Sequence, residues 1–164
     1  MPEYQIPKTP SAYEFPLLIR HLLSRLSAQH TEQQIVYGDR RRFSYGKFFE
    51  RVQRLANGLR SLGIEPGDTV AVMDWDSHRY LECFFAVPMI GARLHTLNIR
   101  LAPEQILYTI NHARDTALLV HDDFVPLLQG FKDKTPTVKR TLRLSDQPSD
   151  VGDAATQAEF AEED

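Results

Sequence analysis

The sequence predicts an α/β fold: a parallel βαβ sheet with helices on both faces, preceded by an N-terminal helix and a small hairpin. Over residues 44–144, short apolar runs alternate with longer segments of helical periodicity. Glycine, proline and aspartate separate these segments and mark turns. Such alternation is typical of right-handed βαβ units, whose helices cover a parallel sheet. A chain of 164 residues is long enough to bury the core of one such domain.

The first predicted elements are a helix and a hairpin. Pro16 opens a helical run over residues 16–30, in which leucines recur four positions apart. The leucines on this face are Leu18, Leu22 and Leu26. Residues 35–37 and 41–43 flank a Gly-Asp pair, a pattern that predicts a hairpin. Ser44 is the expected N-cap of a strongly amphipathic helix, which a glycine ends.

Strands and helices then alternate to residue 144. The predicted strands cover residues 69–73, 92–97, 117–120 and 138–144. The helices between them are expected to begin at a capping or first-turn residue, namely Ser77, Pro103 and Asp123. The last strand alternates apolar and charged residues, which favours an edge position in the sheet.

Composition and charge exclude several classes of protein. The formal net charge of -3 does not favour a nucleic-acid binder. No stretch has the roughly 18 consecutive apolar residues of a membrane span, and the polar N-terminus is not a secretory signal. The lone cysteine, Cys83, excludes an internal disulfide framework and a multi-cysteine zinc site. We therefore expect a soluble cytoplasmic protein without a transmembrane segment.

The chain divides into three parts by composition. Residues 1–15 form a polar, proline-punctuated N-terminal extension, and residues 16–144 form the α/β domain. Residues 145–164 carry seven acidic residues and no Lys or Arg. This acidic tail is expected to be either a solvated end or a segment separated from what it normally packs against.

Ligands of such sheets bind beyond the carboxyl ends of the strands, and the segment 74–78 follows the first predicted strand there. It contains Asp, Ser and His, but neighbours in sequence rarely assemble a catalytic triad. Its carboxylates, Asp74 and Asp76, are more typical of turns and caps than of metal ligands. We therefore assign no catalytic residue and no metal ligand to this segment.

The segment after the second predicted strand presents Asn98 and Arg100 at the same edge. The planar guanidinium of Arg100 is suited to binding phosphate oxygens in pairs. The alternative is a surface ion pair with a nearby carboxylate such as Glu104. His95, inside the strand, is expected to be a satisfied core or interface histidine rather than an acid–base group.

The other distinctive residues have structural interpretations. The basic run 40–42 in the hairpin is typical of a solvated or edge-protecting segment. Cys83 lies within a predicted helix among apolar residues, which predicts an inert core thiol, and Tyr80, Phe84 and Phe85 are expected in the core as well.

The sequence contains no GxGxxG, GxxxxGK[ST], HExxH or GxSxG motif. A backbone cradle for nucleotide phosphates is therefore missing from these residues.

Two longer segments resemble the AMP-forming adenylating enzymes, in particular the fatty-acyl-CoA synthetases. Residues 43–72 are similar to the family's early signature, with Phe-Ser-Tyr at the start and Gly-Asp-Thr-Val-Ala near the end. Residues 80–120 are similar to its next signature, in which a helix ends in Gly-Ala, a strand follows and Asn-x-Arg-Leu opens the next helix. The stretch AVPMIGARLHTLNIRL is most similar to the fatty-acyl branch. The resemblance covers about residues 16–144.

The resemblance implies a two-step reaction, in which a carboxylate attacks ATP to give an acyl-adenylate and the thiol of CoA then displaces AMP. It implies ATP, Mg²⁺ and CoA as cofactors of a complete enzyme, and a fatty or other carboxylic acid as substrate. The family's phosphate loop, nucleotide-binding residues and catalytic lysine come later than this chain. We therefore expect the 164-residue chain alone to be inactive and to bind none of these cofactors tightly. Only Arg100 receives a role, as a residue that contacts the nucleotide phosphates of CoA in some relatives.

The sequence departs from the family pattern at two places. Residues 45–48 lack the usual Glu-Leu pair, and Ala102 replaces the helix-capping Ser or Thr before Pro103. A missing cap costs about 1 kcal/mol and says little about activity. The end of the tail, QAEFAEED, is similar to the segment that leads to the phosphate loop, which predicts a chain that stops before the active site.

Two alternatives stay open. One is a free-standing, non-catalytic interaction or dimerisation module derived from the same fold. Both a fragment and such a module are expected to form homo-oligomers, because each would mask apolar surface by self-association, but a module would form one closed assembly. The other alternative is an unrelated α/β domain that binds a small molecule near Trp75 and Arg100.

Overall fold

The structure is a computed structural model that describes residues 9–11, 13, 16, 18–29, 31–39 and 41–146. Most of the predicted N-terminal extension, Arg40 of the basic run and the side chain of Leu26 lie outside the described residues. Of the predicted acidic tail, only Ser145 and Asp146 lie within them.

Four strands form a parallel sheet, and this confirms the predicted fold class. The strands are β3 (Thr69–Met73), β4 (Arg93–Thr96), β5 (Ala117–His121) and β6 (Arg140–Leu144). The helices around them are α2 (Tyr45–Ser61), α3 (His78–Met89), α4 (Pro103–Ala113) and α5 (Val125–Gln129). The spatial order is β4-β3-β5-β6, and all three neighbouring pairs are parallel. The strand bounds differ from the prediction by one or two residues at most.

The sheet separates two apolar cores, because successive side chains of a strand point to opposite faces. On one face, Val70 and Val72 of β3 pack with buried residues of α2 and α3. On the other face, Ala71 and Met73 pack with buried residues of α4 and with α5. The two central strands, β3 and β5, are buried at all five positions. Helices therefore cover both faces, as the sequence predicts.

The chain reaches the sheet through the predicted helix and hairpin. α1 spans Ile19–Gln29, and β1 (Gln34–Tyr37) pairs antiparallel with β2 (Arg41–Ser44). Two residues of the predicted leucine face, Leu18 and Leu22, are exposed, and Leu23 is buried instead. Adjacent helical residues lie about 100° apart, so burying Leu23 against α2 and α3 turns Leu22 towards solvent.

Two predicted N-caps are confirmed. The Ser44 hydroxyl accepts the Lys47 amide at 3.2 Å and begins α2. The Ser77 hydroxyl accepts the Tyr80 amide at 3.1 Å and begins α3. These contacts satisfy N–H groups that the first helical turn leaves without a partner.

The predicted cap at Asp123 is wrong. A 3₁₀ turn spans Asp122–Phe124, and α5 follows it without a side-chain cap. His121 caps that turn through Nδ1, which accepts the Asp123 amide at 3.3 Å. The Asp123 carboxylate instead accepts a hydrogen bond from Trp75, so a tertiary contact takes the group that the local pattern assigns to capping.

β6 lies at an edge of the sheet as predicted, and Arg140 and Arg143 are exposed on it. Phe84 is exposed rather than in the core, because α3 turns its ionisable residues inward, whereas Tyr80 and Phe85 pack against the core.

Within the described ranges, no helix is both long and apolar enough to cross a membrane.

Candidate functional site

All four parallel strands end at the same edge of the sheet, and a polar network occupies this carboxyl edge. Asp74, directly after β3, is 3% exposed and lies at its centre. Its carboxylate accepts the Trp75 amide at 2.7 Å and the Ser77 hydroxyl at 2.6 Å. With these donors and Arg79, the Asp74 carboxylate is fully engaged in shaping the turn, which agrees with the turn-and-cap interpretation of segment 74–78.

Arg79, in the first turn of α3, is the buried cation of the network, with 2% exposure. Its guanidinium donates to both carboxylate oxygens of Asp74, at 3.1 and 3.2 Å. It also donates to the Asp146 carboxylate at 2.5 Å and to the Ser145 carbonyl at 3.4 Å. Burial by itself lowers the pKa of Arg79, but the hydrogen bonds to Asp74 and Asp146 outweigh burial and raise it. The guanidinium therefore stays charged and joins the ends of β3 and β6.

His121, the last residue of β5, lies beside the same network and is 4% exposed. Its Nε2 atom is buried without a hydrogen-bond partner in the described part of the chain, and lies 3.8 Å from Asp146 Oδ2. Its Nδ1 atom lies 3.4 Å from Asp123 Oδ2. The imidazole thus lies between the carboxylates of Asp123 and Asp146 at the end of β5.

Trp75 is the single tryptophan of the chain and is 43% exposed at this edge. Its indole N–H donates to Asp123 Oδ2 at 2.7 Å, and its ring packs on Phe124 with 4.9 Å between centroids. These contacts hold the indole in place while leaving one part of it open to solvent. Trp75 fluorescence is therefore a natural reporter of ligands at the carboxyl edge.

Arg100 lies in the loop between β4 and α4 and is exposed, as the sequence predicts. Its amide donates to Asn98 Oδ1 at 3.1 Å, so Asn98 shapes the loop rather than offering its oxygen to a ligand. The alternative ion pair with Glu104 does not form, and the Arg100 guanidinium has no carboxylate partner among the described residues. A solvated guanidinium beside the carboxyl edge is chemically suited to a phosphate group.

His95 and Cys83 have the structural roles that the sequence predicts. His95 Nδ1 lies 2.8 Å from the carboxylate of Asp115, which is fully buried. Burial raises the pKa of Asp115, and the hydrogen bond with His95 opposes that shift. Cys83 is 1% exposed, and burial raises the pKa of its thiol far above the ordinary range. Neither residue lies in the network at the carboxyl edge.

The sequence reasoning missed Arg79, His121 and Asp146. Arg79 lies in the first turn of a predicted helix, and its partner Asp146 lies in a segment whose acidic composition suggests a solvated tail. The one available signal was an arginine near the start of a helix that follows a buried strand. Within the described residues, no group of three or more His, Cys, Asp or Glu side chains is placed to hold a metal ion.

A family model described as "AMP-binding enzyme" matches residues 23–164, which is most of the chain. The chain belongs to the AMP-binding enzyme family. This assignment confirms the resemblance to adenylating enzymes and excludes the interpretation as an unrelated small-molecule-binding domain.

Curated relatives in the AMP-binding enzyme family are longer than this chain. A long-chain-fatty-acid–CoA ligase of Thermus thermophilus is 36% identical over 145 residues, which are 86% of this chain and 27% of that protein. This member of the family thus spans about a quarter of the length of the curated relatives it matches.

Solved structures give the same fold. The anthranilate CoA ligase AuaEII in complex with anthranoyl-AMP superposes with a TM-score of 0.74 at 22% identity, covering 79% of this chain and 26% of that one. The inhibitor-bound N-terminal domain of FACL13 from Mycobacterium tuberculosis superposes with a TM-score of 0.70 at 20% identity. That alignment covers 77% of this chain and 33% of the FACL13 domain. This family member therefore has the fold of about a third of such a domain.

Proposed function

We propose that this chain is the N-terminal part of an AMP-forming acyl-CoA ligase that acts on a fatty acid. The observation that supports the substrate class most is the 36% identity to the long-chain-fatty-acid–CoA ligase of Thermus thermophilus. The solved relative with bound anthranoyl-AMP supports an acyl-adenylate as the intermediate. We propose that the phosphate loop and the catalytic lysine belong to the part of such a ligase that lies outside the match, since the match covers 27% of that relative.

The reaction has two steps. The substrate carboxylate attacks the α-phosphate of ATP, a phosphate–oxygen bond breaks and pyrophosphate leaves. The thiolate of CoA then attacks the acyl carbonyl, and AMP leaves with the oxygen that links it to the acyl group. Mg²⁺ neutralises the phosphate oxygens when it is bound. We assign no Mg²⁺ ligand to the described residues, among which no group of three or more His, Cys, Asp or Glu side chains is placed to hold a metal ion.

Arg100 is the residue of this chain that we assign to a ligand. Its exposed, uncompensated guanidinium fits the nucleotide phosphates of CoA, which it would bind by charge-assisted hydrogen bonds. Asn98 supports it by fixing the loop through the Arg100 amide. The network around Arg79 maintains the shape of the carboxyl edge next to that loop. We propose no catalytic residue within the described residues.

The experiment is ATP–pyrophosphate exchange measured on two purified proteins, the 164-residue chain and the polypeptide encoded by the complete native reading frame. The complete polypeptide is expected to exchange in the presence of a long-chain fatty acid and to form the acyl-CoA when CoA is added. The 164-residue chain is expected to show no exchange. Exchange by the short chain, or none by the complete polypeptide with any fatty acid, would contradict the proposal.

A further inference from the structure

The buried imidazole of His121 has two ring nitrogens in different states. Nδ1 accepts the Asp123 amide at 3.3 Å, so it carries no proton in the neutral ring. The proton of the neutral imidazole therefore lies on Nε2. That nitrogen is buried and has no hydrogen-bond partner among the residues that the structure describes. The proposed ligase reaction gives this titratable side chain no role.

Each nitrogen of the His121 ring faces a carboxylate to which it makes no hydrogen bond. Nε2 lies 3.8 Å from Asp146 Oδ2, which is beyond hydrogen-bond distance. Nδ1 lies 3.4 Å from Asp123 Oδ2, where two acceptor atoms face each other without a proton between them. A second proton on the ring would make both nitrogens donors and give each one an anionic acceptor. The neutral form thus leaves two charge-assisted hydrogen bonds unmade.

The arginines near His121 are already paired with carboxylates. These ion pairs join Arg143 to Asp122, and Arg79 to Asp74 and Asp146. Burial and the charges of nearby arginines lower the pKa of His78 to about 3, so that ring stays neutral where an ordinary histidine titrates. Ordinary carboxyl groups titrate about two units below an imidazole. Around neutral pH, His121 is therefore the group in this network whose charge we expect to change.

Asp123 connects the His121 imidazole to Trp75. Its Oδ2 atom, which faces His121 Nδ1, accepts the indole N–H at 2.7 Å. Protonation of Nδ1 removes the acceptor of the Asp123 amide and attracts the same carboxylate oxygen towards the ring. The Asp123 side chain is 59% exposed, so solvent accommodates its movement. The hydrogen bond to the indole therefore weakens as the bond to the imidazolium forms.

We propose that His121 is a pH-sensitive switch that links the segment after β6 to Trp75. When the imidazole is neutral, it caps the 3₁₀ turn, and Asp123 holds the indole. When Nδ1 gains a proton, the imidazolium binds Asp123 and Asp146, holds the segment after β6 to the end of β5 and loosens the indole. Ligands of such a sheet bind beyond the carboxyl ends of its strands, so the switch changes the surface that they contact. It does not depend on the proposed function, because all of its groups lie within the described residues.

The test follows the Trp75 indole N–H and the His121 ring nitrogens by nuclear magnetic resonance of the 164-residue chain, between about pH 5 and pH 8. The chain has one tryptophan and therefore gives one indole signal. We expect that signal to move upfield as the pH falls, with the same one-proton midpoint as the His121 ring. His121→Asn keeps an acceptor for the Asp123 amide but cannot titrate, and is expected to abolish the movement. His112→Asn, at an exposed position of α4, is the matched control and is expected to leave it unchanged.

Three outcomes overturn the inference. They are an indole signal that stays fixed over this pH range, a movement that persists in His121→Asn, and different midpoints for the indole and the imidazole. The comparison of midpoints needs no substitution, so it decides the question even if His121→Asn fails to fold. Circular dichroism is recorded at each pH, and a movement that coincides with loss of the helical signal would reflect unfolding and likewise contradict the switch.

Discussion

The Arg79 guanidinium lies 2.5 Å from the Asp146 carboxylate, and this contact joins residues 67 positions apart in the chain. The same guanidinium binds Asp74 at the end of β3. One buried cation therefore connects the start of α3, the turn after β3 and the segment that leaves β6. We therefore expect this contact to stabilise the carboxyl edge of the sheet.

Replacing Arg79 by Met is expected to destabilise the 164-residue chain by about 3–5 kcal/mol, since it leaves the buried Asp74 carboxylate without its cation. The measurement is the free energy of unfolding from urea denaturation monitored by circular dichroism. The control is Arg54→Ala, which removes an exposed i,i+4 pair with Glu50 and is expected to cost less than about 1 kcal/mol. Similar small losses for both variants would show that Arg79 does not hold the edge together.

The lowered pKa of His78 is expected to make the free energy of unfolding decrease as the pH falls. Burial, followed by the charges of Arg79, Arg51 and Arg41, lowers its pKa from 6.5 to about 3, and the charge of Asp146 opposes this shift. The folded state thus binds fewer protons than the unfolded state between these two pKa values. The contribution of His78 is fully present above pH 6.5 and is lost as the pH falls towards 3.

The variant that tests this dependence is His78→Phe, which cannot titrate and keeps an aromatic ring against the hairpin. Between pH 7 and pH 5, the unfolding free energy of the wild type is expected to fall by about 2 kcal/mol more than that of the variant. Val87→Ala, in the same helix, is the matched control and is expected to lower stability by a constant amount at both pH values. Parallel profiles for wild type and His78→Phe would disprove the assignment.

Arg100→Ala is expected to weaken binding of CoA by the complete polypeptide roughly ten- to a hundredfold, the effect of losing hydrogen bonds to a charged group. The rate of adenylate formation, measured by pyrophosphate exchange without CoA, is expected to stay unchanged. Arg60→Ala, at an exposed position near the end of α2, serves as the charge-matched control. A variant that loses adenylation but keeps its KM for CoA would place Arg100 at another step.

Ala102→Ser is expected to stabilise the 164-residue chain by about 0.5–1 kcal/mol. Ala102 has the extended backbone of an N-cap, with φ -61° and ψ 149°, but no side chain that can accept the first amides of α4. The Ala102 amide already donates to Gln105 Oε1 at 3.2 Å, so a serine that accepts the Gln105 amide would complete the reciprocal pair. Thermal and urea unfolding that show no gain would mean that water already satisfies these amides equally well.

The sequence predicted those parts of the fold that local patterns determine. Ser44 and Ser77 cap helices because their hydroxyls reach amides three residues away. β3 and β5 are continuous apolar runs because both of their faces are buried. The caps depend on partners that lie nearby in the sequence. The strands require only that both of their faces are removed from water.

Long-range contacts explain what the sequence did not predict. Arg79 and Asp146 meet only because β6 ends beside the turn after β3, and the order of the strands determines that meeting. Asp123 was expected to cap a helix but accepts the Trp75 indole, 48 positions away. Phe84 was expected in the core, and it is exposed because distant partners fix the inward direction of Arg79 and Glu82. Periodicity identifies a helix but does not show which of its faces has buried partners.

The most direct test of the central claim is the nucleotide sequence of the native reading frame beyond the codon for Asp164. We predict that the frame continues into a Ser/Thr/Gly-rich stretch that ends in a lysine, followed by the remainder of an AMP-binding enzyme. A stop codon directly after Asp164 would contradict the account and leave the non-catalytic interaction module as the explanation of this chain.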